Sequence, residues 1–213
     1  KQLQREESLE KIVAVTAQHR EMLDQVLSLF SIEADYDLDI METSQSLTEI
    51  TVKVLQGLEK ILQQEEPDLV LVHGDTSTTF VGALSSFYQN VKIGHVEAGL
   101  RTYDKYSPFP EEMNRHLTGV LADLHFAPTS ASRDNLLQEG VSRENIFVTG
   151  NTVIDALQEI VSEDYNFKNE ELSHLNFQEK RIILLTAHRR ENLGPSLQDI
   201  FTAVRNIIKK NRD

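Results

Sequence analysis

Five short stretches set polar and charged side chains just past apolar runs. They are Gln18, His19 and Arg20; His73, Gly74, Asp75 and Thr76; His95, Glu97, Gly99 and Arg101; Gly150 and Asn151; and His188, Arg189 and Arg190. Histidines and carboxylates of this kind can move protons, and guanidinium groups can hold anions. The richest stretch, "HVEAGLRTYDKYSPFPEEMNR" (95–115), sets Glu97, Glu111 and Glu112 among Gly99, two prolines and two arginines. "HGDTSTT" (73–79) offers a carboxylate beside a glycine that permits close backbone approach. "TAHRREN" (186–192) concentrates positive charge in one loop, which suits phosphate held by guanidinium groups and helix N–H donors.

Each motif also has a purely structural explanation. Asp75 or Thr76 suits the N-cap of a following helix. Glu97 and Arg101 suit a structural ion pair. Pro110, Glu111 and Glu112 suit a helix start, with the glutamates favoured by its positive end. "TAHRREN" suits an exposed basic turn, and "TAQHREM" (16–22) an ordinary polar loop opening a helix. The histidines lack metal-ligand spacing: there is no HExxH, and His73 and His95 stand alone. No phosphate-binding P-loop, GxGxxG after a strand, or G-x-S-x-G elbow occurs.

The elements that must position these residues alternate in type. Short apolar runs at 11–17, 68–75, 91–99, 124–129 and 145–150 predict strands. Helical spacing is predicted at 21–30, at 47–67 (stopped by Pro67), at 78–89, from Pro110 to 122, at 130–140 (closed by Gly140) and at 152–161. The strand runs are continuously apolar, as in strands buried on both faces. Regular βα alternation predicts a parallel, doubly wound sheet with right-handed crossovers. Ligands bind outside the carboxyl ends of the strands in such sheets, so the five stretches gather at one rim. A polar, weakly periodic segment at 162–180 predicts a linker. "RIILLT" then predicts a new strand, followed by a helix.

Composition narrows the classes. The chain has 213 residues and 39% hydrophobic content, enough for a real core. No apolar run reaches membrane-spanning length. Twenty-one Lys and Arg face 34 Asp and Glu, a net charge of -13, which argues against a nucleic-acid surface but not against an anionic small ligand. There are no cysteines, hence no disulfide or thiolate–metal site, and no signal peptide is visible; both lean towards the cytoplasm. "KQLQREESLEK" reads as the end of a helix and "FTAVRNIIKKNRD" as an amphipathic helix with nothing following, so a fragment of a longer protein is expected.

Seven motifs occur in order: "TAQH", "VLVHGDTSTTF", "GHVEAGLRT", "YSPFPEEMNR", "LHFAPT", "FVTGNTVIDAL" and "LLTAHRRENLG". Together they closely resemble the bacterial non-hydrolysing UDP-N-acetylglucosamine 2-epimerases over nearly all of the chain. The resemblance implies two Rossmann-like domains in a glycosyltransferase-B-like fold, here without the first strand and most of the second domain. The implied division is residues 1–165 for most of the N-terminal domain, 166–180 for a linker and 181–213 for the start of the C-terminal domain. It implies reversible interconversion of UDP-GlcNAc and UDP-ManNAc by anti elimination of UDP to a 2-acetamidoglucal and re-addition. The C2 hydrogen is not acidic, so its proton must leave as the anomeric bond breaks. One base on one face and one acid on the other explain the surplus of carboxylates.

By matching motifs, Asp75, Glu97 and Glu111 are expected as acid/base and sugar-site carboxylates, with His188 near the UDP phosphates as the fourth catalytic residue. Arg101, Arg115, Asn151, Arg189 and Arg190 are expected to bind substrate. Gln18, His19 and Glu111 are expected to meet a second UDP-GlcNAc acting as allosteric activator. A cytoplasmic homodimer without cofactor or metal, serving cell-envelope polysaccharide synthesis, is also implied. The alternatives are the hydrolysing relative that releases ManNAc and a piece that only binds or assembles. Two departures from the family pattern stand out: Thr43 and Ser44 where an arginine is expected, and Tyr103 where glycine commonly follows "GLRT". A doubly wound sheet lacking its first strand loses hydrogen-bond partners, so the chain alone is expected to be unstable and inactive.

Overall fold

A computed structural model describes residues 2–17, 20–40, 42, 45–162, 164–177, 179, 182–187 and 194–211. The chain divides into two compact units, Lys1–Val161 and Ser162–Asp213. In the first, the elements run α1 (Gln2–Arg5), β1 (Ala14–Val15), α2 (Arg20–Phe30), β2 (Tyr36–Asp37), α3 (Leu47–Glu65), β3 (Leu69–His73), α4 (Ser77–Tyr88), β4 (Lys92–Val96), α5 (Glu111–Leu121), β5 (Leu124–Ala127), α6 (Ser130–Gln138), a 3-10 turn (Arg143–Asn145), β6 (Ile146–Val148) and α7 (Thr152–Ile160). Among the described residues the strands form two parallel sheets, β1–β2 and β3–β4–β5–β6.

Local chemistry explains the boundaries. Ser46 caps α3 through a reciprocal capping box: its hydroxyl accepts from the Glu49 N–H, and the Glu49 carboxylate accepts from the Ser46 N–H at 2.7 Å. At the other end Glu66 turns left-handed (φ 44°) and Pro67 follows, which ends the helix. Thr76 caps α4, its hydroxyl accepting from the Thr79 N–H at 3.2 Å. Gly140 closes the α6 segment with φ 87°.

The strands of the larger sheet follow in chain order, and right-handed crossovers then lay their connecting helices on one face. On it α3 packs against α4 and α4 against α5. Ile40, Ile50, Val54 and Val81 form the core under α3 and α4. Val72, Ala83 and Ile93 form the core between α4 and the sheet, and Ala98, Ala127, Leu136 and Ile146 the core under α6. Burial of both strand faces holds for β4, where Ile93, Gly94 and His95 are all buried, but not for β3. Leu69 and Leu71 are 38% and 44% exposed, because α4 covers only the face that Val72 presents.

The second unit contains α8 (Glu170–Ser173) and α9 (Pro195–Lys210). The stretch expected to be a linker carries α8 and an aromatic cluster, in which Phe167 lies edge-on to Tyr165 and stacks on Phe177 at 5.2 Å. The strand expected from "RIILLT" does not form among residues 182–187, and Leu184 is 93% exposed. A strand requires a hydrogen-bonded neighbouring strand, and among the described residues neither sheet includes this stretch.

Candidate active site

The parallel register sets the site. His73 of β3 lies opposite Val96 of β4, so the two strands end level, and the Gly74 N–H donates to the Val96 carbonyl at 3.0 Å. Asp75 and Glu97 therefore leave adjacent strand ends at the carboxyl edge, where α/β sheets bind ligands.

Because Thr76 takes the cap of α4, Asp75 is released from that duty. Its carboxylate accepts from Arg115 Nη2 at 2.7 Å. Arg115 is an α5 residue one turn beyond Glu111, and side chains four apart share a helix face. Glu111 therefore starts the face that α5 turns towards Asp75. One oxygen of Glu111, Oε2, is buried and accepts no hydrogen bond from the protein.

Glu97 sits at φ 66°, a left-handed conformation uncommon outside glycine, asparagine and aspartate. Strain of this kind persists where the surroundings fix it, and it clusters at functional sites. Here Glu97 Oε2 lies 3.1 Å from His73 Nε2, and Oε1 accepts from Asn151 Nδ2 at 3.3 Å. Asn151 also caps α7, its Oδ1 accepting from the Val153 N–H. The start of α7 is thereby tied to the end of β4.

The suggested Glu97–Arg101 pair does not form. Arg101 is carried beneath the rim between α5 and α6, and its side chain is 1% exposed. Nε and Nη2 each donate to the Glu139 carboxylate at 2.7 Å, and Nη1 donates to the Leu100 carbonyl. Burial opposes the charge on Glu139, yet the bidentate guanidinium still holds its carboxyl below the usual range. This withdraws Arg101 from the substrate-facing set. The cause is Gly99, at φ 87°, whose Cα passes so close to α6 that a Cβ there would meet the Ser132 carbonyl at 2.2 Å. The chain after Glu97 is drawn onto α6 and takes Arg101 with it.

Glu112 does more than start a helix. It is 4% exposed and accepts the backbone N–H groups of Thr102 and Tyr103 at 3.0 and 2.9 Å. Its other oxygen lies 3.4 Å from Arg115 Nη1, so Arg115 bridges Asp75 and Glu112. The departure at Tyr103 keeps the backbone that glycine would favour: Tyr103 has φ 62°, and its hydroxyl donates to Asn135 Oδ1 at 2.8 Å. Between this loop and α5, the peptide bonds before Pro108 and Pro110 are both cis.

Among the expected site residues, Asp75, Glu97, Glu111, Arg115 and Asn151 lie along this edge. His188, Arg189, Arg190, Gln18 and His19 lie outside the described residues, as do Thr43 and Ser44. Arg20, beside the expected allosteric loop, is bound by Asp37 at 2.6 and 2.8 Å and by Asp39 at 2.7 Å, which fastens α2 to the end of β2. Sequence reasoning missed the roles of His73, Asn114, Glu112 and Glu139. Of these, Asn114 carried a signal, being three residues beyond Glu111 on a predicted helix. Among the described residues, no group of three His, Asp or Glu side chains is placed to hold a metal.

These features define a Rossmann-like α/β unit with a rim of carboxylates at the carboxyl edge of a parallel sheet. The chain belongs to the UDP-N-acetylglucosamine 2-epimerase family, whose model matches residues 1–213. It is 52% identical to the UDP-N-acetylglucosamine 2-epimerase of Bacillus subtilis (strain 168) over 212 residues, covering 100% of this chain and 55% of that protein. Its structure matches that of S. aureus MnaA with UDP at a TM-score of 0.88 and 57% identity, over 99% of this chain and 55% of the other. It also matches a Methanocaldococcus jannaschii UDP-GlcNAc 2-epimerase in complex with UDP-GlcNAc and UDP at 0.79 and 34% identity, over 99% and 58%. The chain thus spans about 55% of the curated relatives it matches.

Proposed function

We propose that the complete gene product interconverts UDP-GlcNAc and UDP-ManNAc without hydrolysis. Base removal of the C2 proton accompanies loss of UDP from C1, giving a 2-acetamidoglucal. UDP then re-adds and a proton returns to C2 on the opposite face. The observation that carries this reading is the delivery of Asp75 and Glu97 to adjacent strand ends beside Glu111 of α5. Glu97, held by His73 and Asn151, and Asp75, held by Arg115, are two carboxylates in different environments, as separate acid and base roles require. Glu111, with an oxygen that accepts no hydrogen bond from the protein, is the third candidate. His188, Arg189 and Arg190 are assigned to the departing diphosphate, where cations stabilise developing charge. Arg115 and Asn151 act by orienting the carboxylates and contacting the sugar. UDP in the S. aureus structure and UDP-GlcNAc with UDP in the M. jannaschii one support the choice of ligand.

A second UDP-GlcNAc at Gln18, His19 and Glu111, a homodimer and a cytoplasmic setting complete the proposal. The test is NMR detection of deuterium at C2 after incubating the gene product with UDP-GlcNAc in D₂O. Asp75→Asn, Glu97→Gln and Glu111→Gln should each slow exchange by roughly 10²–10⁴-fold, the usual contribution of general acid–base catalysis. Parental exchange in all three variants would overturn the assignment. Product analysis separates the hydrolysing alternative, which releases free ManNAc in place of UDP-ManNAc.

A further inference from the structure

Three consecutive backbone carbonyls at the end of β3 are each capped by a buried side chain from a different element. The His73 carbonyl accepts from Thr79 Oγ1 of α4 at 2.6 Å, the Gly74 carbonyl from His95 Nε2 of β4 at 2.8 Å, and the Asp75 carbonyl from Asn114 Nδ2 of α5 at 2.9 Å. The donors are 5%, 0% and 7% exposed. Helix capping does not demand this: the Thr76 hydroxyl already serves α4, and Gly74 turns at φ 74° without steric cost. Since His95 donates through Nε2 and its Nδ1 is buried with no hydrogen-bond partner, the ring is held as the neutral Nε2–H tautomer.

We infer that Thr79, His95 and Asn114 are positioning residues that form a rigid platform for Asp75 and for the His73–Glu97 contact. None of the three touches the carboxylates that move the proton. Their bonds fix the peptide planes on either side of Gly74, and so the direction in which the Asp75 side chain leaves the strand. Misplacement of a reacting group by about 1 Å costs on the order of a hundredfold in rate. The inference rests on the acid–base reading of Asp75 and Glu97.

C2 deuterium exchange on the complete gene product tests it, with kcat and KM measured for each variant and folding checked by circular dichroism. His95→Met, which keeps the bulk but lacks the donor, should lower kcat roughly ten- to hundredfold while KM stays near the parental value. His95→Gln, which restores an N–H at similar reach, should recover most of that loss. Thr79→Val should act like His95→Met, and Thr79→Ser like the parent; if His95→Met does not fold, this milder pair decides. Parental kcat in the donorless variants, a loss seen in KM instead, or no recovery in the donor-bearing variants would overturn the platform. Asp75→Asn separates the two failures. If it slows exchange while His95→Met and Thr79→Val do not, the platform alone is rejected. If it exchanges like the parent, the acid–base reading fails and the platform with it.

Discussion

His95 and the side chain of Arg101 are both buried near the rim, and both give predictions for stability. Burial pushes the His95 imidazole down to about 4; its bond to Gly74 opposes this in part, while His125, Arg101 and His73 add repulsion. An unfolded histidine titrates near 6.5, so between these values the unfolded chain takes up a proton that the folded one refuses. Stability from this group is complete above about pH 6.5 and falls as pH drops towards 4, by about 3 kcal/mol over the full span. His125, held down by burial as well, adds in the same direction. Urea unfolding of the gene product at pH 7.5 and pH 5 should show this loss, and His95→Gln should flatten it; an equal pH slope in the variant would reject the account. For Arg101, Glu139→Gln leaves a buried guanidinium without its counter-charge and should cost about 3 kcal/mol in the same assay. A cost below half a kcal/mol would show that the pair carries no structural weight.

At the scale of elements, the caps and close approaches make the sharpest predictions. Ser46→Ala removes the hydroxyl that accepts from the Glu49 N–H, leaving only the backbone half of the α3 capping box, and should destabilise by about 1 kcal/mol. Gly99→Ala faces a Cβ contact of 2.2 Å with the Ser132 carbonyl and an unfavourable φ together. It should cost at least about 2 kcal/mol, within the range for overpacked sites, and a thermal melt near the parental value would contradict this. These boundaries were partly legible in the sequence: Pro67 and Gly140 end helices and Thr76 opens one through local backbone effects, whereas the caps at Ser46 and Asn151 emerged only from the structure. "RIILLT" was misread because an apolar run announces a strand's composition but not its partner, and partners come from elsewhere in the chain.

At the scale of the whole molecule, the chain divides at Val161 and Ser162. Residues 162–180 are polar, and those described among them are mostly exposed. We propose that the domain boundary falls in this stretch. Limited proteolysis of the complete gene product, followed by mass spectrometry, should find its first cut there; a first cut inside α3 or α4 would place the boundary elsewhere. Among the described residues no helix is long and apolar enough to cross a membrane.

The sequence by itself determined the alternation of strands and helices, the helix stops at Pro67 and Gly140 and the ordered motifs that mark the family, because periodicity and local backbone preference act over a few residues. Only the tertiary structure decided which charges meet. Glu97 found His73 and Asn151 in place of Arg101, Arg101 found Glu139 38 residues away, and Asp75 found Arg115 40 residues away. Those partners are set by the level ending of β3 and β4 and by the close packing of Gly99 on α6. Register and helix placement are properties of the packed whole, and no local spacing encodes them.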